Sequence, residues 1–157
     1  MYLYKNKFVT LIFLSFCFQS ICSAELIKPK NSIKPLEVVE IQLNGLKNNN
    51  EPYEDFGIEQ TWEFAHPNNK KYTGPLGRFI AMIRSNPYDV LLGSLFFETK
   101  LISKNQTEAK VEVFLDGKNK NRYKILWILR KSNISKECTN CWMTTGVSQP
   151  QNLGPII

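Results

Sequence analysis

Few side chains in this chain are placed to carry acid–base chemistry. His66 is the single histidine, so any histidine-based proton transfer or nucleophilic scheme would depend on it alone. It follows the second predicted helix, where its side chain can interact with the last backbone carbonyls. No carboxylate pair stands near it at metal-ligand spacing. The sequence therefore predicts no catalytic residue, no metal site and no cofactor.

Three carboxylates recur at helical spacing. Asp55, Glu59 and Glu63 are four residues apart and would share one helical face. Asp55 is placed to cap the helix start, and the two glutamates lie opposite the stripe of Ile58 and Trp62, which predicts a solvated face. The alternative is that this face points into a cavity, where one carboxylate would act as a general base.

One arginine and four aromatic residues are the candidates for ligand binding. Arg78 directly precedes an apolar position, where its guanidinium would pair with Asp55 or with a ligand carboxylate. The aromatic residues either fill a core or line a small apolar pocket. The predicted ligand-binding residues are Trp62, Arg78, Phe79, Tyr88 and Trp127.

Two cysteines remain outside the N-terminal segment, in the sequence Cys138-Thr139-Asn140-Cys141. An exported protein favours a disulfide between them. On an extended strand such a pair would be about 10 Å apart, so a bridge requires a turn at Thr139-Asn140. Free thiols remain open as an alternative, and redox or metal chemistry is less favoured because a helix start or a second ligand pair is missing.

The N-terminal residues 1–24 have the pattern of a secretory signal. Two lysines precede an uncharged apolar run, and small residues precede Glu25. Cleavage there would export the remaining chain. The apolar run is at the lower limit for a bilayer span, so an uncleaved anchor is the alternative and the one predicted contact with a membrane.

Length and charge limit the remaining possibilities. The 157 residues less the 24 of the signal leave one domain with room for one core. The net charge of +6 comes mostly from scattered lysines, without an arginine cluster or a basic face interleaved with aromatics. This distribution argues against nucleic-acid binding.

Periodicity predicts three helices followed by about four antiparallel strands. Leu36, Val39, Leu43 and Leu46 recur at helical spacing, a second helix runs from Asp55 and stops at Pro67, and a third begins at Pro75. Strands are expected at 94–103, 109–115, 123–130 and 141–147, the third of them central because it is apolar on both faces. We expect an α+β fold.

The resemblance to a known family depends on three blocks and on the last predicted strand. They contain Asp55, Gly57, Ile58, Phe64, Ala65, Pro67 and Asn68; Gly74, Pro75, Leu76, Arg78, Phe79 and Met82; Tyr88, Leu91 and Leu92; and Cys141, Trp142, Met143, Thr144, Gly146 and Val147. With them, residues 34–148 resemble domain-of-unknown-function family 4864. That family belongs to the nuclear-transport-factor-2-like superfamily of helices packed on a concave sheet.

The resemblance implies a domain at 34–148, between a linker at 25–33 and a flexible tail at 149–157. His66 stands where the family has a small residue, which argues against catalysis. We expect an exported protein of the periplasm, thylakoid lumen or extracellular space that binds a small apolar ligand or a protein. The alternatives are a dehydratase-like or isomerase-like enzyme using Asp55 or Glu63, and a homodimer formed through the open sheet face.

Overall fold

Helices occupy the first half of the chain and strands the second, as the sequence predicts. A computed structural model describes residues 25–136 and 138–156, and the predicted signal at 1–24 lies outside them. The elements are α1 (Pro35–Lys47), α2 (Phe56–Glu63), α3 (Pro67–Thr73), α4 (Leu76–Ile83), a 3₁₀ turn (Tyr88–Leu91), β1 (Phe96–Lys104), β2 (Glu108–Asp116), β3 (Asn121–Ser132), β4 (Cys141–Val147) and β5 (Gln151–Pro155). The fold is α+β, with the helices ahead of a curved antiparallel sheet.

Helix α1 is the central helix and packs against both α2 and the sheet. Its predicted apolar stripe is confirmed, since Val39, Leu43 and Leu46 are buried. At the crossing with α2 the two backbones touch, because a Cβ on Gly57 would overlap the carbonyl oxygen of Gly45. Glycine is therefore required at Gly57 for α1 and α2 to approach each other this closely.

The start of α2 is capped by a residue other than the one predicted. Asp55 lies at the N-cap position with a φ of 66° and makes no side-chain capping hydrogen bond. Instead, Asn49 Oδ1 accepts a hydrogen bond from the backbone N–H of Ile58 at 3.0 Å, and its carbonyl accepts one from Gly57 at 3.0 Å. The preceding loop thus satisfies the free donors of α2, which leaves the Asp55 carboxylate for other partners.

Pro67 begins a helix as well as following one. The sequence predicts a turn between two helices at this point, but α3 occupies it. Proline is well tolerated in the first turn of a helix, where its missing N–H costs nothing. The helix predicted to begin at Pro75 is α4, which makes four α-helices in the described residues.

The sheet has the order β1-β2-β3-β4, with every pair antiparallel. β3 is central, as predicted, and its long span pairs with β2 on one side and with both β4 and β5 on the other. Side chains on the inner face are buried against α1 and its neighbours. They include Val111, Val113, Leu115, Ile125, Trp127 and Leu129.

The predicted flexible tail contains a strand. Residues 149–157 were expected to be loose, yet β5 pairs with the first part of β3, placing Tyr123 opposite Asn152. β3 extends beyond the end of β4, so its backbone groups there need a second partner, and β5 supplies it.

The two edges of the sheet differ in whether they are covered. Beyond β4, the segment 64–66 closes the edge: the His66 N–H donates to the Thr144 carbonyl at 2.8 Å, and the Thr144 N–H donates to the Phe64 carbonyl at 2.8 Å. Beyond β1, the described residues provide no further strand. One edge is thus covered and the other is open.

The predicted linker packs against the domain. Residues 25–34 contain no helix or strand. The Gln60 side chain nevertheless holds Ile27 by two hydrogen bonds, accepting from its N–H at 2.8 Å and donating to its carbonyl at 2.9 Å. The described chain therefore has a fixed contact with α2 before α1 begins.

Candidate functional site

An apolar cavity of about 160 Å³ lies between the helices and the inner face of the sheet. Its apolar lining includes Leu46, Phe79, Met82, Ile83, Leu91 and Val147. Its polar lining consists of Gln42, Thr61, Asn69, Thr73, Tyr88 and Thr144. None of these side chains carries a charge at neutral pH, so the cavity suits uncharged molecules.

A buried hydrogen-bonded cluster forms one wall of the cavity. Gln42, only 1% exposed, accepts hydrogen bonds at its Oε1 from Trp127 Nε1 at 3.2 Å and from Thr144 Oγ1 at 2.7 Å. Its Nε2 donates to the Thr61 carbonyl at 3.0 Å. We call Gln42, Thr61, Trp127 and Thr144 the buried polar cluster. It ties α1, α2, β3 and β4 together behind the cavity.

The buried polar cluster retains capacity for a ligand. An amide nitrogen carries two N–H groups, and Gln42 Nε2 has one partner among the described residues. The Thr144 hydroxyl donates to Gln42, which leaves its oxygen able to accept. This wall can therefore bind one polar group of a molecule whose remainder is apolar.

The other polar lining residues lie nearer the ends of α3 and β4. Asn69 Nδ2 donates to the Thr144 carbonyl at 3.3 Å, and Thr73 Oγ1 donates to the Asn69 carbonyl at 2.9 Å. On the opposite side, the Tyr88 hydroxyl donates to the Val147 carbonyl at 3.3 Å. These bonds fix the side chains between which a ligand would lie.

The cavity includes three of the five predicted ligand-binding residues. Phe79, Tyr88 and Trp127 line it, whereas Trp62 and Arg78 do not. Trp62 packs against the side of Phe79, with ring centroids 5.0 Å apart, and Lys70 Nζ lies 5.1 Å from the Trp62 ring centroid. Trp62 thus supports a wall of the cavity from outside.

The predicted pairing of Arg78 with Asp55 does not occur. Arg78 is exposed on α4. Arg84 lies six positions later and donates to Asp55 Oδ1 from both Nε, at 3.1 Å, and Nη2, at 2.9 Å, while also bonding Glu54. The hydrogen bonds raise the pKa of Arg84 above its usual value. This surface ion-pair cluster of Glu54, Asp55 and Arg84 fixes α2 against the end of α4.

The other two carboxylates of the predicted acidic face also lie away from the cavity lining. Glu59 accepts a hydrogen bond from the Tyr53 hydroxyl at 2.7 Å, in an exposed position. Glu63 lies 3.0 Å from Lys28 Nζ. Because Asp55 and Glu63 both lie elsewhere, a dehydratase-like or isomerase-like reaction would lack its predicted base in this cavity.

His66 faces the helix that follows it, not the helix that precedes it. The sequence predicts contact with the last carbonyls of α2, but His66 Nδ1 accepts a hydrogen bond from the Asn68 N–H at 3.1 Å and caps α3. Burial lowers the pKa of His66, and the nearby charge of Arg130 lowers it further. A neutral ring is needed at this position, because a protonated Nδ1 cannot accept.

The cysteine pair has the turn that a bridge requires. Asn140 adopts a φ of 58°, and the Cα atoms of Cys138 and Cys141 are 5.4 Å apart, within the normal range for a disulfide. Both side chains are buried against Met143. This placement favours a structural role at the start of β4 and lies away from the cavity, while the bridge itself stays a prediction.

Sequence reasoning missed most of the polar lining of the cavity. Gln42 follows Val39 by three positions and precedes Leu46 by four, so it stands within the predicted buried stripe of α1. A polar residue in such a stripe signals a buried hydrogen-bonding role. Thr144 alternates with Trp142 on one face of β4, a weaker signal. Asn69 and Thr73 had no signal, because α3 was not predicted.

Comparisons with known proteins do not assign this site. No protein-family model, curated protein or solved structure matches the chain. In residues 25–136 and 138–156, no helix is long and apolar enough to cross a membrane. Within the same ranges, no three His, Cys, Asp or Glu side chains form a group that could hold a metal ion.

Proposed function

We propose that this domain binds a small, uncharged and mostly apolar molecule in the cavity, and that it does so without catalysis. The observation that carries the proposal is the buried polar cluster on one wall of an otherwise apolar chamber. Pockets that are mainly apolar, with a few fixed polar groups, are the usual form of small-molecule sites.

The size of the cavity limits the ligand. A cavity of roughly 150 Å³ lined by aliphatic and aromatic side chains is large enough to hold benzene. The cavity here measures about 160 Å³, so a single six-membered ring with one small substituent matches it. A fused ring system or a long acyl chain exceeds it.

The lining limits the charge of the ligand. A carboxylate or an ammonium group would lose its hydration in this cavity and find no opposite charge among the lining side chains. A hydroxyl or carbonyl group would meet Gln42 and Thr144. The favoured ligand class is therefore a neutral monocyclic alcohol, phenol or ketone.

Binding is tested with probes that differ in one property at a time. Phenol and benzyl alcohol should raise the melting temperature of the protein and should appear as one-to-one complexes in native mass spectrometry. Benzoate tests charge and 1-naphthol tests size, and neither should have a comparable effect. Analysis of molecules that co-purify with the protein would identify the natural ligand.

A matched pair of variants locates the binding. Val147→Phe fills part of the cavity from its half-buried wall, whereas Leu153→Phe makes a similar addition at an exposed position on β5. Phenol should lose its effect in the first variant and keep it in the second. A protein that no neutral probe stabilises, or equal binding by both variants, would contradict the proposal.

We also propose that the chain is exported and belongs to the nuclear-transport-factor-2-like superfamily, in family 4864. The α+β order of helices followed by a curved sheet supports the second part. The pattern of residues 1–24 supports the first. N-terminal sequencing of the protein recovered from cells tests export: a chain that begins near Glu25 is expected, and an intact Met1 in a cytosolic fraction would contradict it.

A further inference from the structure

The open edge of the sheet is long and partly apolar. β1 spans nine residues, and several of its side chains are exposed, including Phe96 at 55% and Ile102 at 46%. An edge strand presents a row of backbone donors and acceptors that can pair with another strand. Proteins usually shorten, cover or charge such an edge. Here residues 64–66 cover the opposite edge, and β1 carries charges of both signs, including Glu98 and Lys100.

The sequence of β1 is complementary to itself. When two copies of a strand pair antiparallel about a two-fold axis, one residue meets its own copy, and residues equally distant from it on either side face each other. With Thr99 on the axis, Glu98 faces Lys100 and Phe97 faces Leu101. One step further out, Phe96 faces Ile102, which lies at the irregularity between Leu101 and Ser103. Opposite charges or apolar groups are thus matched in each of these three pairs.

Neighbouring registers lack this match. An axis on Glu98 or on Lys100 places like charges directly opposite each other, which is destabilising in antiparallel pairs. An axis on Leu101 places the charged Lys100 against the apolar Ile102. The axis on Thr99 is therefore the favoured register.

We propose that a second copy of this chain pairs with β1, antiparallel about Thr99, and joins the two five-stranded sheets into one. The matched cross-strand pairs and the edge hydrogen bonds would both stabilise this pairing. The arrangement has one like-charge contact. Thr99 Oγ1 donates to Glu40 Oε1 at 3.1 Å, so the two Glu40 side chains approach each other near the axis.

The cavity is not part of this interface. Its lining comes from the helices, β3 and β4, and β1 contributes none of the lining residues. Pairing through β1 would thus leave the ligand site of each copy accessible, and the two proposals can fail independently.

Exchange of charges tests the register. Glu98→Lys leaves a basic residue at both 98 and 100, and Lys100→Glu leaves an acidic residue at both. Because position 98 of one copy faces position 100 of the other, two copies of either variant would bring like charges together. We expect each to weaken self-association by about tenfold, the equivalent of 1.4 kcal/mol. An equimolar mixture of the two, and the double variant, should recover it. Sedimentation velocity over a concentration series measures all four samples.

A second variant pair guards against effects on folding. Lys100 lies opposite Glu112 on β2, so the charge change also alters a contact within one copy. Ile102→Lys removes an exposed apolar group of β1, and Leu153→Lys removes one of nearly equal exposure, 47%, on β5. The first should reduce association and the second should not, with unchanged circular dichroism spectra.

Three outcomes would overturn the proposal. The first is a protein that stays monomeric at every accessible concentration. The second is a dimer that persists in both single charge variants, which would point to another surface, such as the outer face of the sheet. The third is a mixture of the two charge variants that associates no better than either alone.

Discussion

The buried polar cluster and the surface ion-pair cluster use hydrogen bonds in opposite settings. Gln42, Trp127 and Thr144 are neutral and almost completely buried. In the surface cluster, by contrast, the groups are charged, and the side chains of Arg84 and Glu54 are 44% and 74% exposed, whereas that of Asp55 is 14% exposed. A buried polar atom without a partner costs free energy, whereas an exposed charge without a partner is solvated by water.

This difference teaches which polar residues hold the fold together. The charged residues stand out in the sequence, yet water reaches Arg84 and Glu54, and Asn49 Nδ2 also donates to Asp55 Oδ1 at 3.1 Å. The neutral residues stand out less, yet they have no replacement partner in the core. The stability of the domain should therefore depend on Gln42 far more than on Arg84, and the following predictions test that ranking.

The largest effect is expected at Gln42. Gln42→Leu preserves much of the volume but removes the acceptor for Trp127 Nε1 and Thr144 Oγ1. Each buried group left without a partner costs roughly 1 to 3 kcal/mol, so the free energy of unfolding should fall by about 3 kcal/mol. Urea denaturation followed by tryptophan fluorescence measures it.

Asn44→Leu is the matched control on the same helix. Asn44 is exposed two positions after Gln42, so the substitution should change the free energy of unfolding by less than about 0.5 kcal/mol. Equal losses in the two variants would mean that the hydrogen bonds of Gln42 contribute nothing specific.

A smaller effect is expected at Thr144. Thr144→Val removes one donor to Gln42 Oε1, but Trp127 still donates to the same oxygen. The expected loss is about 1 kcal/mol, the usual net contribution of one hydrogen bond. The same variant should weaken binding of phenol more than binding of toluene, because toluene has no group for the hydroxyl to recognise. If binding of both probes is weakened equally, Thr144 contributes to the shape of the cavity and not to recognition of a hydroxyl group.

The sequence predicts the elements whose signal is local. The alternation of Ala109, Val111, Val113 and Leu115 marked β2, and the last predicted strand has the same bounds as β4. β5 was missed because Gln151–Pro155 has neither alternation nor an apolar run. It is a strand because β3 continues past β4, which is a property of a distant element.

The predictions for the site failed where geometry between elements decides. Arg78 and Arg84 are both on or next to α4, and only the crossing of α4 with α2 determines which one reaches Asp55. Asn49 caps α2 from the preceding loop for the same reason. Phe79, Tyr88 and Trp127 do line the cavity, because large aromatic residues tend to face the core wherever the helices cross.

A minor effect is expected at Arg84. Arg84→Met removes the ion pairs with Glu54 and Asp55. Exposed ion pairs contribute little to stability, and Asn49 Nδ2 still donates to Asp55 Oδ1 at 3.1 Å. The loss should be small compared with that of Gln42→Leu in dilute buffer and smaller still in concentrated salt, which screens exposed charges. Arg78→Met, also exposed, serves as the control. A loss at Arg84 as large as that at Gln42 would contradict the ranking.

The smallest effect at neutral pH is expected at His66, which has one hydrogen bond beside the cavity and one at the surface. Its N–H bonds the Thr144 carbonyl near the cavity, while its ring caps α3 at the surface. His66→Asn keeps an acceptor at the cap, since asparagine is among the best N-cap residues. At about pH 7.5 the two proteins should therefore unfold at nearly the same urea concentration.

At acidic pH the stabilities of the original protein and His66→Asn should differ. The pKa of His66 in the folded state is below the usual value of about 6.5, so the unfolded chain takes up the proton more readily. The contribution of the neutral ring is thus complete above about pH 6.5 and is lost as the pH falls through the folded-state pKa. Between about pH 7.5 and pH 5 the stability of the original protein should fall more steeply than that of His66→Asn. If stability falls equally with pH in the two proteins, burial and the charge of Arg130 do not affect the His66 ring. In that case α3 is held by its contact with β4 and not by its cap.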